Sequence, residues 1–249
     1  MQLYEIVFLF LVISFVYSSV GFGGGSSYLA VLTFFAFPFM EMKMTALICN
    51  IIVVTGGTIL FIRHKQIDWK KVIPTVVVSV PMAFLGARVK LSENSFFVIL
   101  GFSLIIAAAL LWTQRKQLAN EEASKFRPNY LRDALLGGVI GLLSGMVGIG
   151  GGIFLSPILN LMKWDTPKKI AATASFFILV NSISGIAGQL STFQKSINYT
   201  HIALFTAAVL VGGQLGSRIG IKNLDPVVIR RITAFVVFIA GIEVLHKHL

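Results

Sequence analysis

The sequence predicts an all-α polytopic membrane protein made of two inverted-topology repeats, each a glycine-broken helical hairpin plus three transmembrane helices. Three observations support this prediction. The chain of 249 residues is 56% hydrophobic and only 12% charged, and several apolar runs reach the roughly 20 residues that cross a bilayer. A glycine cluster inside an apolar stretch occurs twice, and the lysines and arginines are unevenly distributed among the loops.

The two halves are related by a nearly constant spacing. The glycine clusters at 21–25 and 148–152 are 127 residues apart, residues 45–57 match 173–185 at a spacing of 128, and residues 85–88 match 215–218 at 130. Self-similarity of this kind indicates an internal duplication. We therefore expect an N-terminal membrane repeat over residues 1–113, a cytoplasmic connector over 114–133 and a C-terminal membrane repeat over 134–249.

Each half begins with a long apolar stretch that the glycines interrupt, and three helices follow it. Three adjacent glycines cost a helix roughly 1 kcal/mol each relative to alanine, so neither stretch is an ordinary spanning helix. The broken stretches cover about Glu5–Phe37 and Ala134–Met162. The predicted helices are Met44–Ile62, Val72–Arg88, Phe96–Thr113, Ile170–Leu190, His201–Ile219 and Val228–Leu245.

The positions of the 21 lysines and arginines test how the broken stretches cross the membrane. If each stretch crossed once, the basic residues would divide eleven to ten between the two sides. If the second stretch folds back as a hairpin, sixteen fall on one side and five on the other, namely Lys43, Arg88, Lys90, Lys195 and Lys247. The positive-inside rule strongly prefers the hairpin.

Charge does not test the first hairpin, because no lysine or arginine precedes it. Its support is the repeat and its length, since some 33 residues of helix would reach about 50 Å. Two hairpins give each half five membrane segments, an odd number, so the halves must be inverted. Both termini are then expected to face outward and the connector to face the cytoplasm. The net charge of +11 belongs to short loops between spans, so we expect the lipid bilayer and not nucleic acid as its partner.

The glycine clusters predict an anion-binding site. In each half a short helix starts just after the cluster, so its free N–H groups and positive dipole end lie near the middle of the membrane. Glycine also lets a ligand approach the backbone without a Cβ in the way. The candidate substrate-binding residues are Gly23, Gly24, Gly25, Ser26, Ser27, Asn50, Gly150, Gly151, Gly152 and Asn181.

Other interpretations of these residues stay open. The glycines could serve only close helix packing, and each asparagine either donates to an anion or bridges two helices. Thr45, Thr173 and Ser175 either contact substrate or bond back to their own helices. All ten carboxylates are predicted in loops or near helix ends, so a proton relay through a buried acid has no support. No cluster of His, Cys, Asp or Glu has metal-ligand spacing and no nucleophile has an evident base, so we expect no metal, no cofactor and no enzyme.

A duplicated G-x-G-G-G segment whose second copy continues as G-G-G-I-F-L-S-P-I-L over residues 150–159 resembles the TauE/SafE family of sulfite and organosulfonate permeases. The resemblance covers nearly the whole chain. It implies transport of small sulfur-containing anions, such as sulfite, thiosulfate or sulfoacetate, across a bacterial cell membrane. The first copy departs from the pattern, with Ala30 where the second has Pro157, which weakens the expectation of a symmetric site.

The sequence therefore leads us to expect a secondary transporter that works by alternating access between inverted halves. Within transport, the alternative is an anion channel. Outside transport, the alternative is a membrane enzyme or assembly factor that uses the same cavity.

Overall fold

The computed structural model describes residues 2–19, 22–113, 129–192, 199–223 and 226–248. These residues form ten α-helices and no strand. In chain order they are α1 (Gln2–Ser19), α2 (Gly25–Phe34), α3 (Phe39–Arg63), α4 (Trp69–Arg88), α5 (Glu93–Trp112), α6 (Tyr130–Val147), α7 (Gly152–Leu161), α8 (Pro167–Leu190), α9 (Tyr199–Asn223) and α10 (Pro226–His248).

Six helices of the described residues are long and apolar enough to cross a membrane, by length and composition. They are Phe39–Arg63, Trp69–Arg88, Glu93–Trp112, Tyr130–Val147, Pro167–Leu190 and Thr200–Arg218. Three shorter apolar helices, Leu3–Ser19, Gly25–Phe34 and Gly152–Leu161, accompany them. The prediction of an all-α polytopic membrane protein is confirmed.

The helices begin slightly earlier than predicted, because polar first turns and caps precede their apolar cores. The Asp68 side chain accepts a hydrogen bond from the Lys70 N–H at the start of α4, and the Ser92 side chain accepts one from the Ser95 N–H at the start of α5. Asn129 caps α6 in the same way, so this helix begins inside the segment predicted as a connector. Residues 114–128 of that segment lie outside the described residues.

Both glycine-broken stretches fold back as hairpins. In the first, Tyr28 near the start of α2 stacks on Phe10 in the middle of α1, with ring centroids 4.7 Å apart. Such contact requires α2 to run back along α1. In the second, the Trp164 indole N–H, just beyond α7, donates to the Asp133 carboxylate in the first turn of α6 at 3.2 Å. The chain therefore returns to the end of the molecule from which α6 starts.

The long helices pair across the two halves. Helix α1 packs mainly against α9, and α6 packs mainly against α4. Because α1 is the repeat equivalent of α6 and α9 is that of α4, these two contacts are equivalent to each other. Glycines allow these backbones to approach closely. A Cβ added at Gly216 would lie 2.8 Å from the Phe15 carbonyl carbon, and one added at Gly86 would lie 3.1 Å from that of Leu142. The four residues occupy equivalent positions in the repeat.

Equivalent helices meet in antiparallel pairs at the centre of the molecule. In the α3–α8 pair, the Thr58 and Ser175 hydroxyls are 2.9 Å apart, while Leu47 lies against Gly185. In the α5–α10 pair, Phe97 at the start of α5 stacks on His248 at the end of α10. Antiparallel equivalent helices are compatible with an inverted repeat, and the orientation of the halves in a membrane stays a prediction.

Ion pairs of the described residues gather at two opposite ends of the helices. At one, named here the Asp165 end, Lys71 donates to Asp165 at 2.6 Å, and Asp133 is paired with Arg132. At the other, named the Glu41 end, His201 Nδ1 lies 3.2 Å from a Glu41 carboxylate oxygen. The glycine clusters lie between these ends.

Candidate functional site

The two short helices begin in the same way. Gly24 and Gly151 precede α2 and α7 with φ angles of 84° and 82°, in the left-handed region that favours glycine. Neither helix has a side-chain cap. The carbonyl of Gly24 accepts from the N–H groups of Ser27 and Tyr28, and that of Gly151 accepts from those of Phe154 and Leu155.

Helix geometry then leaves the N–H groups of the first two residues in each short helix directed beyond the helix end. In α2 these are Gly25 and Ser26, and in α7 they are Gly152 and Ile153. All four residues border one small cavity of about 10 Å³. The structure thus brings together the two helix N-termini that the sequence predicted separately.

Asn50 of α3 lies between the two glycine clusters. Its side-chain Nδ2 donates to the Ile149 carbonyl at 2.9 Å, so the first half holds the loop of the second. The residue is fully buried, and its Oδ1 has no partner among the described residues. A Cβ added at Gly25 would lie 2.5 Å from Asn50 Nδ2, and one added at Gly150 would lie 2.7 Å from it. The glycines at these positions make room for the amide.

Ser182 of α8 joins this group and was missed in the sequence analysis. Its hydroxyl is buried, lacks a partner among the described residues, and lies 3.0 Å from where a Gly150 Cβ would stand. The repeat could have indicated Ser182, because Ile178 is the equivalent of Asn50 and Ser182 lies one turn later on the same helix face. Ile178 borders the cavity, so the two halves contribute unequal side chains.

The two predicted serines have different surroundings. Ser26 borders the cavity and is buried. The Ser27 hydroxyl is instead hydrogen-bonded to the Tyr17 hydroxyl at 2.6 Å. Tyr17 also borders the cavity, and the sequence analysis did not select it, since the equivalent residue in the second half is Ser144.

Asn181 lies away from the glycine clusters. Its Nδ2 donates to the Ser79 hydroxyl at 3.1 Å and to the Phe177 carbonyl at 2.8 Å, so it links α8 to α4. This corresponds to the helix-bridging alternative. The Thr45 and Thr173 hydroxyls are buried without a partner in the described part of the chain, whereas Ser175 bonds to Thr58.

None of the described residues that border the cavity carries a carboxylate. Its lining contains no ionisable group other than the Tyr17 phenol. Asp133 and Asp165 are buried but lie at the Asp165 end. Burial raises the pKa of Asp165, yet hydrogen bonds from Lys71 and the Thr166 N–H, together with the Lys71 and Lys169 charges, give a net lowering. The positive ends of two helix dipoles therefore dominate the electrostatics at the cavity.

The fold and this cavity define a multi-pass membrane protein with a polar site where two of its helices are broken. The chain matches the model of the family described as sulfite exporter TauE/SafE over residues 6–244, and it belongs to that family.

Curated relatives carry the same general description. A probable membrane transporter protein, y4hK of Sinorhizobium fredii, is 32% identical over 239 residues, covering 95% of both chains. YunE of Bacillus subtilis, also named a probable membrane transporter protein, is 25% identical and covers 79% of this chain and 78% of its own. MJ0441 of Methanocaldococcus jannaschii, with the same description, is 27% identical, and the match covers 90% of this chain and 88% of its own. No solved structure matches the chain significantly.

Proposed function

We propose that this protein is a secondary transporter that carries a small sulfur-containing anion by alternating access. The substrate class comprises sulfite, thiosulfate and organosulfonates such as sulfoacetate. The observation that carries the proposal is the single cavity bordered by the uncapped N-termini of α2 and α7. Two helix ends directed at one buried space make an anion-binding site, because both the N–H groups and the dipoles favour negative charge.

The donors around the cavity suit an oxyanion. The residues that carry the four free backbone N–H groups, Gly25, Ser26, Gly152 and Ile153, border it from two sides, and the Asn50 amide donates to the Ile149 carbonyl beside them. Sulfite and sulfonate groups present three oxygens on one sulfur, so donors that converge from two halves can bind different oxygens of the same ion. No lining residue in the described chain carries a carboxylate that would repel it.

The arrangement of the halves supports alternating access. Broken helices whose N-termini meet at the interface of two repeats are typical of secondary transporters. Here the central α3–α8 pair carries Asn50 on one helix and Ser182 on the other. Movement of one half relative to the other would therefore open the cavity first to one end and then to the other.

We also place the protein in the bacterial inner membrane with both termini outside. The sixteen basic residues of the favoured topology then face the cytoplasm, together with the Asp165 end. The Glu41 end, where His248 near the C-terminus stacks on Phe97, faces outward. This orientation follows from the positive-inside rule.

Transport of labelled thiosulfate into proteoliposomes tests the proposal. Uptake should saturate, show counterflow when the vesicles are preloaded with unlabelled thiosulfate, and deliver the ion chemically unchanged. Linear flux without counterflow would indicate a channel, and a modified product would indicate an enzyme.

The site itself is tested by Gly25→Ala. The added methyl group would meet the Asn50 amide and the Ile149 carbonyl, so it should fill the cavity and reduce thiosulfate affinity by at least about tenfold. Gly57→Ala is the matched control, because a Cβ there has only one neighbour, the Ser175 hydroxyl at 3.7 Å. The measurement is the thiosulfate-induced rise in melting temperature. Equal affinity in folded Gly25→Ala and Gly57→Ala proteins would contradict the proposed site.

A further inference from the structure

The α3–α8 interface carries a series of residues that face one another level by level. Leu47 lies 3.2 Å from the position of a Gly185 Cβ, and Thr58 contacts Ser175. Asn50 and Ser182, both next to Gly150, occupy the level between these contacts. The antiparallel register is therefore constant over the interface.

Continuing this register by one turn toward the Glu41 end places Lys43 of α3 at the level of Gln189 of α8. Lys43 precedes Asn50 by seven residues, which is two helical turns, so both lie on the same face about 10 Å apart along the axis. Gln189 follows Gly185 by four residues and likewise shares its face. The Lys43 stem packs on the glycine loop, because a Cβ at Gly148 would lie 3.2 Å from the Lys43 Cα.

Both side chains are buried, and the Gln189 amide has no hydrogen-bond partner among the described residues. Lys43 is 3% exposed and Gln189 is 0% exposed. Lys43 forms no ion pair within the described chain, and its ammonium lies 5.8 Å from the centroid of the Phe96 ring. Neither Nε2 nor Oε1 of Gln189 has a partner there. Groups buried in this way normally have a partner, so a site that leaves them free points to a missing ligand.

The sign of the uncompensated charge identifies the ligand. The other buried charged residues among those described are Asp133 and Asp165, and both are paired with cations at the Asp165 end. Among the residues whose burial the structure describes, Lys43 is therefore the one buried charge without an opposite charge beside it. A small anion would neutralise the Lys43 ammonium and accept a hydrogen bond from the Gln189 amide.

We propose that Lys43 and Gln189 form a second anion-binding subsite, which the transported anion occupies between the Glu41 end and the glycine cavity. This inference rests on the proposed function, since it concerns the same substrate. The repeat carries no second copy of this subsite, because the equivalents of Lys43 and Gln189 are Ala171 and Phe61. The anion thus has a charged binding position at one end of its path and none of this kind at the other.

Lys43→Met tests the subsite with thiosulfate as the probe. Replacing an unpaired buried cation with an apolar side chain of similar length removes a desolvation cost. The melting temperature without ligand should therefore stay equal or rise, while thiosulfate affinity falls by at least about tenfold. Gln189→Leu should weaken affinity in the same direction. Lys43→Arg, which keeps the charge, should retain most of the affinity.

Lys90→Gln is the matched control, because Lys90 is an exposed lysine that follows α4 at the Glu41 end. It should bind thiosulfate like the unmodified protein. Normal affinity in Lys43→Met protein would overturn the subsite, and a lowered melting temperature with normal affinity would assign Lys43 a structural role instead. Loss of affinity in Gly25→Ala but not in Lys43→Met would refute the subsite and leave the proposed function intact. The reverse result would refute the glycine cavity and leave the subsite.

Discussion

Asn50 belongs to the first half of the chain and holds the backbone of the second. Its amide N–H bond to the Ile149 carbonyl fixes the loop from which α7 starts, and its free Oδ1 lies beside the first glycine cluster. A neutral amide suits this position, because it donates to a carbonyl or an anion without adding negative charge. One side chain of the first half therefore fixes backbone of the second half that borders the cavity.

Asn50→Asp should weaken anion binding with little change in side-chain volume. The carboxylate cannot donate to the Ile149 carbonyl, and its charge repels an oxyanion at the helix N-termini. We expect thiosulfate affinity to fall by at least about tenfold, or about 1.4 kcal/mol, as measured by isothermal titration of the purified protein.

The same change at Asn181 provides the comparison for this prediction. Asn181 bridges α8 to Ser79 of α4, so Asn181→Asp should lower the melting temperature. The protein that remains folded should bind thiosulfate with near-normal affinity. If both variants lose affinity equally, Asn181 belongs to the binding site as the sequence predicted.

At the scale of elements, glycines serve two purposes that their local sequence distinguishes. The clusters before α2 and α7 break helices, and this was predictable because three adjacent glycines are incompatible with an ordinary spanning helix. The glycines at 137, 141 and 145 instead lie inside α6, at four-residue spacing, and face the backbone of α4. The sequence analysis did not select them, although this spacing is typical of close helix packing.

Gly141→Ala should therefore destabilise the α4–α6 pair without changing the binding site. The added Cβ would lie 2.8 Å from the Ser79 Cα, and backbone cannot move aside as a side-chain tip can. Overpacking of this kind costs typically 1–3 kcal/mol, so the melting temperature should fall clearly below that of Gly57→Ala protein. A stable Gly141→Ala protein would show that these helices do not depend on close backbone contact.

The sequence predicted the elements better than the contacts between them. Apolar length gave the long helices. The distribution of lysines and arginines gave the second hairpin, and the repeat together with the length of the stretch gave the first. Ser182, Lys43 and Gln189 were not selected as site residues, since their place in the site depends on the register between α3 and α8, which are more than 100 residues apart in the chain. For the same reason the sequence could not tell that Asn50 lies at the glycine clusters and Asn181 lies elsewhere.

At the scale of the whole molecule, the antiparallel pairing of α3 with α8 and of α5 with α10 predicts where each loop lies. Lys90 and Lys168 are both exposed, and the inverted arrangement places them on opposite sides of a membrane. Single cysteines at these two positions, in a Cys49→Ala background, should react with a membrane-impermeant thiol reagent from opposite sides. Lys168→Cys should be labelled only from the cytoplasm.

Labelling of both cysteines from one side would show that the halves are not inverted. Cys49→Ala protein without an added cysteine is the control, and it should stay unlabelled in intact membranes. Cys49 is buried in the structure, so its replacement should not alter the loops that the experiment reports on.

The unequal contents of the two halves have a consequence for the resting protein. In a transporter made of two identical inverted halves, the outward-open and inward-open states would have equal free energy, because exchanging the halves converts one state into the other. Here Asn50 of the first half corresponds to Ile178 of the second half, and Tyr17 corresponds to Ser144. Each inequality favours one state, and every 1.4 kcal/mol of difference changes the population ratio about tenfold. Under the proposed alternating-access mechanism, the duplicated fold would permit both states, and these substitutions would set which one the empty protein favours.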